Sequence, residues 1–199
     1  SADWTLFRTI TVNDCLNYPL RESATALPIS SSAGENHMIS RKDLKDIVIF
    51  NHLTDEMIKK LLPEMESLRF PEGDMIFRSG ERADMFYSLK RGKILLEQRV
   101  LDKVTISVGT VKAGYSFGWS ALLGDQNFTV DTVCGEPCEV LRIKAKTLFR
   151  MIEEDWEMGY RLMHRLLHMV RRRLDGRTEL ILKVILDHPD MHSLVVNNR

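Results

Sequence analysis

A glycine-rich stretch at 113–124 has the residue types of an anion-binding turn. Gly114 and Gly118 can flank a tight turn, and Ser120, Ala121, Leu122 and Leu123 are enough for one helical turn. Backbone N–H groups at the start of a short helix have no intrahelical partner and can hold a phosphate or a carboxylate. A purely structural turn would use the same residues. The stretch therefore predicts either a small-anion site or a tight turn.

Two further pairs of side chains have spacings that can do chemistry. Cys134 and Cys138 bracket the turn residues 135–137, which fits a reducible hairpin disulfide or two buried thiols in a reducing compartment. His164 and His168 are four residues apart, as zinc ligands on a helix can be. No acidic residue or cysteine accompanies them at a suitable spacing, so no metal is expected.

A basic segment lies near the end of the chain. Residues 161–177 hold six arginines and one acid, a local charge of +5. Such a segment can attract nucleic acid or an acidic surface, or be a solvated helix face. The chain as a whole has 28 basic and 28 acidic residues and no net charge. Because nucleic-acid-binding domains are usually strongly basic, we do not expect this chain alone to bind nucleic acid.

Composition places the chain among globular proteins. It has 199 residues, of which 44% are apolar, and only three cysteines. There is no run of about 18 apolar residues that could span a membrane, and no secretory leader is visible. We therefore expect a cytoplasmic protein without a disulfide framework. No nucleophile, base or metal constellation is visible in the central region, so the sequence does not indicate an enzyme.

The predicted secondary structure that positions the candidate residues changes along the chain. Residues 1–39 are interpreted as an N-terminal extension and linker ending in a Ser/Gly run, with Trp4, Phe7 and Ile10 at a helical spacing that favours partial docking. Residues 40–65 have helix signals. Ser40 with Asp43 fits a capping box, and Thr54 marks a second helix start.

Residues 66–143 have the pattern of an all-β roll or sandwich. Eight of the eleven glycines lie there, between short apolar runs such as 75–77, 85–89, 94–97, 105–108, 128–134 and 139–143. Gly73, Gly80 and Gly92 are placed where strands reverse and a positive φ is needed. From 147 to 187 the helical period returns, and Gly176 is predicted to break this helix.

One face of the last long helix is apolar. A helical wheel of 161–175 gathers Leu166, Met169 and Val170, among others, on one side, with Arg173 as the single charge in the apolar arc. A face of this breadth is typical of a helix that packs in a core or along a dimer seam, and we favour a parallel homodimer contact. Arg173 either snorkels outward or reaches a ligand or partner.

Taken in order, these segments resemble the cyclic nucleotide-binding domain family over roughly residues 44–175. The resemblance rests on 50–62, on FPEGDMIFRSGE at 70–81, on FYSLKRG at 86–92, on the glycine-rich stretch at 113–124 and on CEVLRI at 138–143. The stretch at 113–124 is similar to the family's phosphate-binding cassette. The resemblance implies a mainly β fold, a double-stranded β-helix or jelly-roll-like β-roll, followed by a long amphipathic C-terminal helix that commonly dimerises.

The resemblance also implies site residues. Those expected to contact a ligand are Phe117, Gly118, Trp119, Ser120, Ala121, Leu122, Thr129 and Thr132. Those expected to form the ligand cap or dimer helix are Leu166, Met169, Val170 and Arg173. Trp119 can instead be an apolar plug of the pocket, and both threonines can be ordinary strand residues.

Two positions depart from the family pattern. Trp119 stands where the family usually has the glutamate that accepts hydrogen bonds from the ribose. Phe128 or Thr129, depending on one residue of loop length, stands where it usually has the arginine that pairs with the cyclic phosphate. An Arg–phosphate pair is strong and often bidentate, and neither replacement can neutralise a phosphate. The cofactor expectation is therefore a cyclic nucleotide, another small anion, or no ligand.

The sequence predicts three parts: 1–39 the extension, 40–146 the cyclic-nucleotide-binding-type roll with its N-terminal helices, and 147–199 the C-terminal helices. The favoured function is a ligand-sensing regulatory module, in which a small-molecule effector on the cassette shifts the population of the C-terminal helix. The alternatives are an interaction or dimerisation module that binds no ligand, and a relative of transcription regulators. About 25 residues follow Leu174, too few for the usual helix-turn-helix domain.

Overall fold

The computed structural model describes residues 38–101, 104–124 and 126–187. It divides into two compact units, whose described parts are residues 38–162 and 163–187. The predicted docking of Trp4, Phe7 and Ile10 and the Ser/Gly linker lie outside the described residues.

Within the described residues, two short helices precede the roll, and their starts confirm the predicted caps. They are α1 (Arg41–Lys45) and α2 (Asp55–Leu61), and a 3-10 turn (Leu62–Glu64) follows α2. The Ser40 hydroxyl accepts from the Asp43 N–H while the Asp43 carboxylate accepts from the Ser40 N–H, a complete capping box. The Thr54 hydroxyl accepts from the Met57 N–H in the same way.

Eight antiparallel strands form two four-stranded sheets. The strands are β1 (Glu66–Phe70), β2 (Met75–Phe77), β3 (Met85–Arg91), β4 (Lys93–Leu101), β5 (Val104–Lys112), β6 (Ser116–Phe117), β7 (Asp131–Cys134) and β8 (Cys138–Lys144). One sheet has the order β1-β8-β3-β6 and the other β2-β7-β4-β5. This mainly β roll with a long helix after it confirms the predicted fold class.

The turns between strands confirm the predicted glycine chemistry. Gly73, Gly80 and Gly92 all have positive φ, between 85° and 91°. Gly92 is constrained by space as well, because a Cβ there would lie 2.5 Å from the Pro137 carbonyl oxygen. This close approach brings the β3–β4 turn against the β7–β8 turn, so no larger residue fits.

Charged side chains hold α1 against the roll. The Lys90 Nζ of β3 lies 3.1 Å from Asp43 Oδ1 of α1 and 2.8 Å from Glu139 Oε1 of β8. We call Asp43, Lys90 and Glu139 the ion cluster. Burial opposes ionisation of Asp43, but hydrogen bonds from Ser40 and Lys90 outweigh it and lower the Asp43 pKa. Burial likewise opposes the charge on Lys90, yet its bonds to Glu139 and Asp43 raise the Lys90 pKa.

Two helices follow the last strand: α3 (Ala145–Glu154) and α4 (Trp156–Asp187). The predicted break at Gly176 is wrong, since α4 continues through it. One glycine costs a helix only about 1 kcal/mol relative to alanine, and good helix formers on both sides offset this cost. None of the helices in the described ranges is long and apolar enough to cross a membrane.

Candidate functional site

The predicted anion-binding turn is a 3-10 helix (Trp119–Leu122) directly after β6. Gly118 begins it with φ of 74°, and a Cβ at this position would lie 3.0 Å from the Tyr87 ring and 3.4 Å from the Phe128 ring. One backbone N–H of the turn is already hydrogen-bonded within it, because Ala121 N–H donates to the Gly118 carbonyl. Ala121 and Leu122 are buried. We call residues 113–132 the cassette.

Phe128 lies inside an aromatic cluster. Its ring stacks on Phe77 with centroids 3.7 Å apart and an interplanar angle of 15°. Phe117 lies 6.0 Å from Phe77 and 5.3 Å from Tyr87. We call these four rings the ring cluster. Since Phe128 is 5% exposed, an apolar ring fills its place in the roll. The family resemblance implies an arginine at this position or at Thr129.

The backbone around Phe128 is held by the β2–β3 loop. Phe128 N–H donates to the Glu81 carbonyl at 2.8 Å, and Gly80 N–H donates to the Phe128 carbonyl at 2.8 Å. The next residue, Thr129, is exposed. Of the two positions that the sequence left open for the missing arginine, Phe128 is the one that points into the roll and Thr129 is not buried.

Trp119 is packed on one side but has an unused donor. Its ring meets Phe86 edge to face, with centroids 6.1 Å apart. Its indole Nε1 is buried and has no hydrogen-bond partner among the described residues. A buried N–H without an acceptor costs about 1–3 kcal/mol. The packing fits the plug predicted for Trp119, and the unused donor fits the predicted ligand contact.

Thr132 on β7 also has a buried polar atom without a hydrogen-bond partner among the described residues. The residue is fully buried, and its Oγ1 has no partner within the described part of the chain. It lies opposite Phe77 of β2 and Leu96 of β4 in the sheet register. Two of the four buried side-chain atoms without a partner in the described residues are thus a donor in the cassette turn and a hydroxyl on the strand that follows. The other two, Ser67 Oγ and Asp74 Oδ2, lie outside the cassette.

Tyr87 connects the ring cluster to charged groups. Burial raises the Tyr87 pKa to about 12, although the neighbouring Arg142 favours the phenolate. Arg142 is itself held by Glu66, with Nη2 and Oε2 2.7 Å apart. Phe77 and Tyr87 could not be predicted from the sequence as neighbours of Phe128, because their proximity depends on strand register rather than on spacing along the chain.

The predicted residues of the long helix divide into two stripes. Leu166, Met169 and Arg173 are half-buried, whereas Val170 is exposed. Burial lowers the Arg173 pKa, and the nearby charge of Arg177 lowers it further. Since these residues belong to the other compact unit, a contact of Arg173 with a ligand stays a prediction.

The exposed stripe of α4 is more extensive than predicted. Its members, which we call the helix stripe, are Met163, Leu167, Val170, Leu174, Ile181 and Val184. Each is between 38% and 67% exposed. Their spacings of three, four or seven residues match a heptad seam, with the exposed Arg177 at the one remaining seam position.

The histidine pair does not gather further metal ligands. His164 and His168 place their Nε2 atoms 3.4 Å apart. Within residues 38–101, 104–124 and 126–187, no group of three or more His, Cys, Asp or Glu side chains could hold a metal ion.

Comparison with known proteins identifies related chains. The family model of the cyclic nucleotide-binding domain matches residues 67–155. A putative cyclic nucleotide-binding protein from Geobacter metallireducens is 30% identical, with a TM-score of 0.61 over 69% of this chain and 99% of that one. A cyclic nucleotide-binding domain from Methylobacillus flagellatus, 17% identical, shares the fold with a TM-score of 0.65 over 75% of this chain and 88% of that one.

A curated relative is a cGMP-dependent protein kinase of Caenorhabditis briggsae, 28% identical over 120 residues. The match covers 59% of this chain and 16% of the kinase, so this chain spans less than a fifth of that relative's length.

Proposed function

Because the chain belongs to the cyclic nucleotide-binding domain family, we propose that it is a ligand-sensing regulatory module. In this module the cassette binds a small effector without an arginine–phosphate pair. The observation that carries the proposal is the pair of buried, unpartnered polar atoms, Trp119 Nε1 and Thr132 Oγ1. Buried polar groups in folded proteins nearly always have partners, so a ligand acceptor is the natural partner for an unused donor.

The ligand contacts would come from the residues expected at the cassette. Phe117 to Leu122 would line one side and Thr132 the other, with Thr129 at the exposed rim. The buried Phe128 ring supplies apolar surface and no charge. Among the described cassette residues an anionic group therefore finds neutral donors such as backbone N–H groups, hydroxyls and the Trp119 indole N–H, and no cationic side chain. We expect cyclic AMP or cyclic GMP to bind through the base and ribose, and weakly.

A thermal-shift screen tests this proposal. Cyclic AMP, cyclic GMP, adenosine, guanosine and small inorganic anions would be titrated against the wild-type chain and the W119F and T132V variants. A stabilisation that saturates in the wild type and weakens in both variants is expected. Saturation that is equally strong in all three proteins would contradict the assignment of these two residues.

The alternative is an interaction module that binds no small ligand. The stack of Phe128 on Phe77 favours this alternative, since it fills the roll with side chains. This alternative predicts that no compound in the screen shifts the unfolding temperature. It also predicts that the chain still associates through the helix stripe.

We also propose that the chain forms a homodimer through the helix stripe. Its six exposed apolar side chains repeat at heptad spacing, the pattern that buries a seam between two helices. Fully burying a leucine side chain is worth about 1.5–3 kcal/mol, so the L167D/L174D variant should associate at least about 100-fold more weakly. Sedimentation equilibrium measures this change.

Two further variants sharpen the dimer test. His168 lies on the same helix outside the stripe, so H168D is the matched control and should leave association unchanged. Arg177 interrupts the seam with a charge that would face its copy, so R177L should tighten association. A wild-type chain that stays monomeric at high concentration would refute the dimer.

A further inference from the structure

His164 and His168 form a pair of imidazoles on successive turns of α4. Both side chains are exposed, so an ion in solution can reach them. Their Nε2 atoms lie 3.4 Å apart, and the ring centroids are 4.6 Å apart with an interplanar angle of 72°. Residues four apart lie on the same face of a helix, and here that spacing brings two imidazole nitrogens together.

The distance between the two nitrogens matches that between two ligands of a tetrahedral zinc ion. Zinc lies about 2.0–2.1 Å from a histidine nitrogen, so two such nitrogens at the tetrahedral angle are about 3.3–3.4 Å apart. Adjacent ligands of a square-planar ion at the same bond length would be only about 2.8–3.0 Å apart. The observed separation of 3.4 Å therefore suits a tetrahedral ion without bringing the rings closer together.

The protons of the two rings can make room for an ion. A hydrogen bond between the Nε2 atoms of two neutral rings needs one N–H and one lone pair, so one ring has its proton on Nε2 and the other on Nδ1. For both Nε2 atoms to offer a lone pair, the first ring must move its proton to Nδ1. Two neutral imidazoles thus become metal ligands with no net loss of a proton, which a thiol would require.

We propose that His164 and His168 bind one Zn²⁺ ion through their Nε2 atoms, as a two-ligand site on the surface of α4. In the described part of the chain no third histidine, cysteine or acidic side chain joins the pair. The other positions of the tetrahedron are therefore left for water or a small anion. Neither histidine belongs to the helix stripe, so zinc binding can be measured separately from the proposed association.

The charges beside the pair set how zinc binding responds to salt. Arg165, Arg171 and Arg172 lie within four residues of the pair, and Asp175 lies 3.8 Å from Arg171. The excess positive charge repels a dication, and salt screens this repulsion. Raising sodium chloride from about 0.05 to about 0.3 M should therefore not weaken zinc binding, whereas adventitious binding to carboxylates should weaken. A zinc affinity that falls with salt would contradict the proposal.

Calorimetric titration of zinc chloride into the full chain tests the site. The wild-type chain should bind an equivalent of zinc that EDTA removes. H164Q and H168Q should each bind it at least about 10-fold more weakly, because a single imidazole cannot chelate. H52Q is the matched control, since His52 is an exposed histidine outside α4, and it should bind zinc like the wild type. Zinc binding that both α4 variants retain would overturn the proposal, as would a wild-type chain that binds no zinc.

NMR of the wild-type chain locates the ion even if a variant fails to fold. The ring resonances of His164 and His168 should shift together and saturate at the same zinc concentration, while those of His52 stay in place. Zinc should also raise the unfolding temperature of the wild type and not that of H168Q, because only a chelating pair favours the folded helix. If zinc binds while the two rings do not respond, the ion lies elsewhere and the proposal is wrong.

Discussion

The ion cluster and the cassette lie on the same roll but differ in how their polar groups are satisfied. In the ion cluster Lys90 contacts both Asp43 and Glu139, so each buried charge has a partner. In the cassette Trp119 Nε1 and Thr132 Oγ1 have no partner in the described chain. Unpaired buried groups cost stability. Ser67 Oγ and Asp74 Oδ2 outside the cassette are also unpaired among the described residues, so the assignment of the cassette rests on its two unpaired atoms together with the family resemblance.

A cavity lies between the ion cluster and the first residues of the cassette. Its volume is about 410 Å³, and Lys42, Asp46 and Gly114 are among the residues that line it. Two of the charges that line it, Asp43 and Lys90, are already paired with each other, so a ligand that binds either would have to replace this bond. We therefore interpret the ion cluster as a structural connection between α1 and the roll, and the cassette as the binding region.

We expect the largest effect from a variant that breaks the ion cluster. In the K90M variant Glu139 and Asp43 lose their common partner while little side-chain volume changes. Leaving a half-buried charge unpaired should cost about 2–4 kcal/mol of the free energy of unfolding. Urea unfolding measures this loss.

A second variant separates charge from packing. In the K90M/E139Q double variant the most buried carboxylate is neutral, so more than half of the lost stability should return. If K90M is as stable as the wild type, the ion cluster does not hold α1 to the roll. Ligand binding at the cassette should be unchanged in both variants.

The two regions should also respond to opposite ends of the pH range. Folding raises the Tyr87 pKa to about 12 from an ordinary value of 10.0. The stability that this provides is complete below pH 10 and is lost as the pH rises towards 12. A shift of about two pKa units corresponds to about 2–3 kcal/mol.

The Y87F variant should lack this alkaline loss, which urea unfolding between pH 9 and about 12 would detect. The Asp43 pKa is lowered from 3.8, so its contribution is present above that pH and is lost as the pH falls below it. If the alkaline slope is identical in Y87F and wild type, Tyr87 is not the group that titrates.

The smallest expected effect compares two buried hydroxyls. Thr132 Oγ1 is unpartnered, whereas the hydroxyls of Ser88 and Ser116 share a hydrogen bond of 2.9 Å. T132V should therefore raise the free energy of unfolding of the ligand-free chain by about 1 kcal/mol, and S88A should lower it by a similar amount. A T132V variant that loses as much stability as S88A would show that Thr132 has a partner in solution.

Local signals in the sequence predicted much of the roll. The capping box of Ser40 and Asp43, the positive φ of the turn glycines and most strand positions depend on neighbours within a few residues. The ring cluster was missed because Phe77, Tyr87, Phe117 and Phe128 meet only through the pairing of distant strands. Gly176 was misjudged because a single glycine is a weaker helix breaker than its sequence context suggested.

The apolar face of α4 also shows what the sequence could not predict. The wheel of residues 161–175 gathered the apolar residues of this segment in one arc. It could not divide the half-buried Leu166 and Met169 from the exposed Leu167 and Leu174, because that division depends on tertiary packing.

The central claim is that this cassette senses a small effector without an arginine–phosphate pair. Calorimetry with two ligands that differ in the phosphate tests it most directly. Cyclic AMP and adenosine would each be titrated into the wild-type chain in a calorimeter to measure their affinities. In a parallel NMR titration, the indole N–H resonance of Trp119 would be followed. We predict that both ligands shift this resonance and that their affinities agree within about threefold, because a charge-assisted phosphate contact would add about 1.5–3 kcal/mol. A preference for cyclic AMP of more than about tenfold, or an indole resonance that neither ligand moves, would contradict the account.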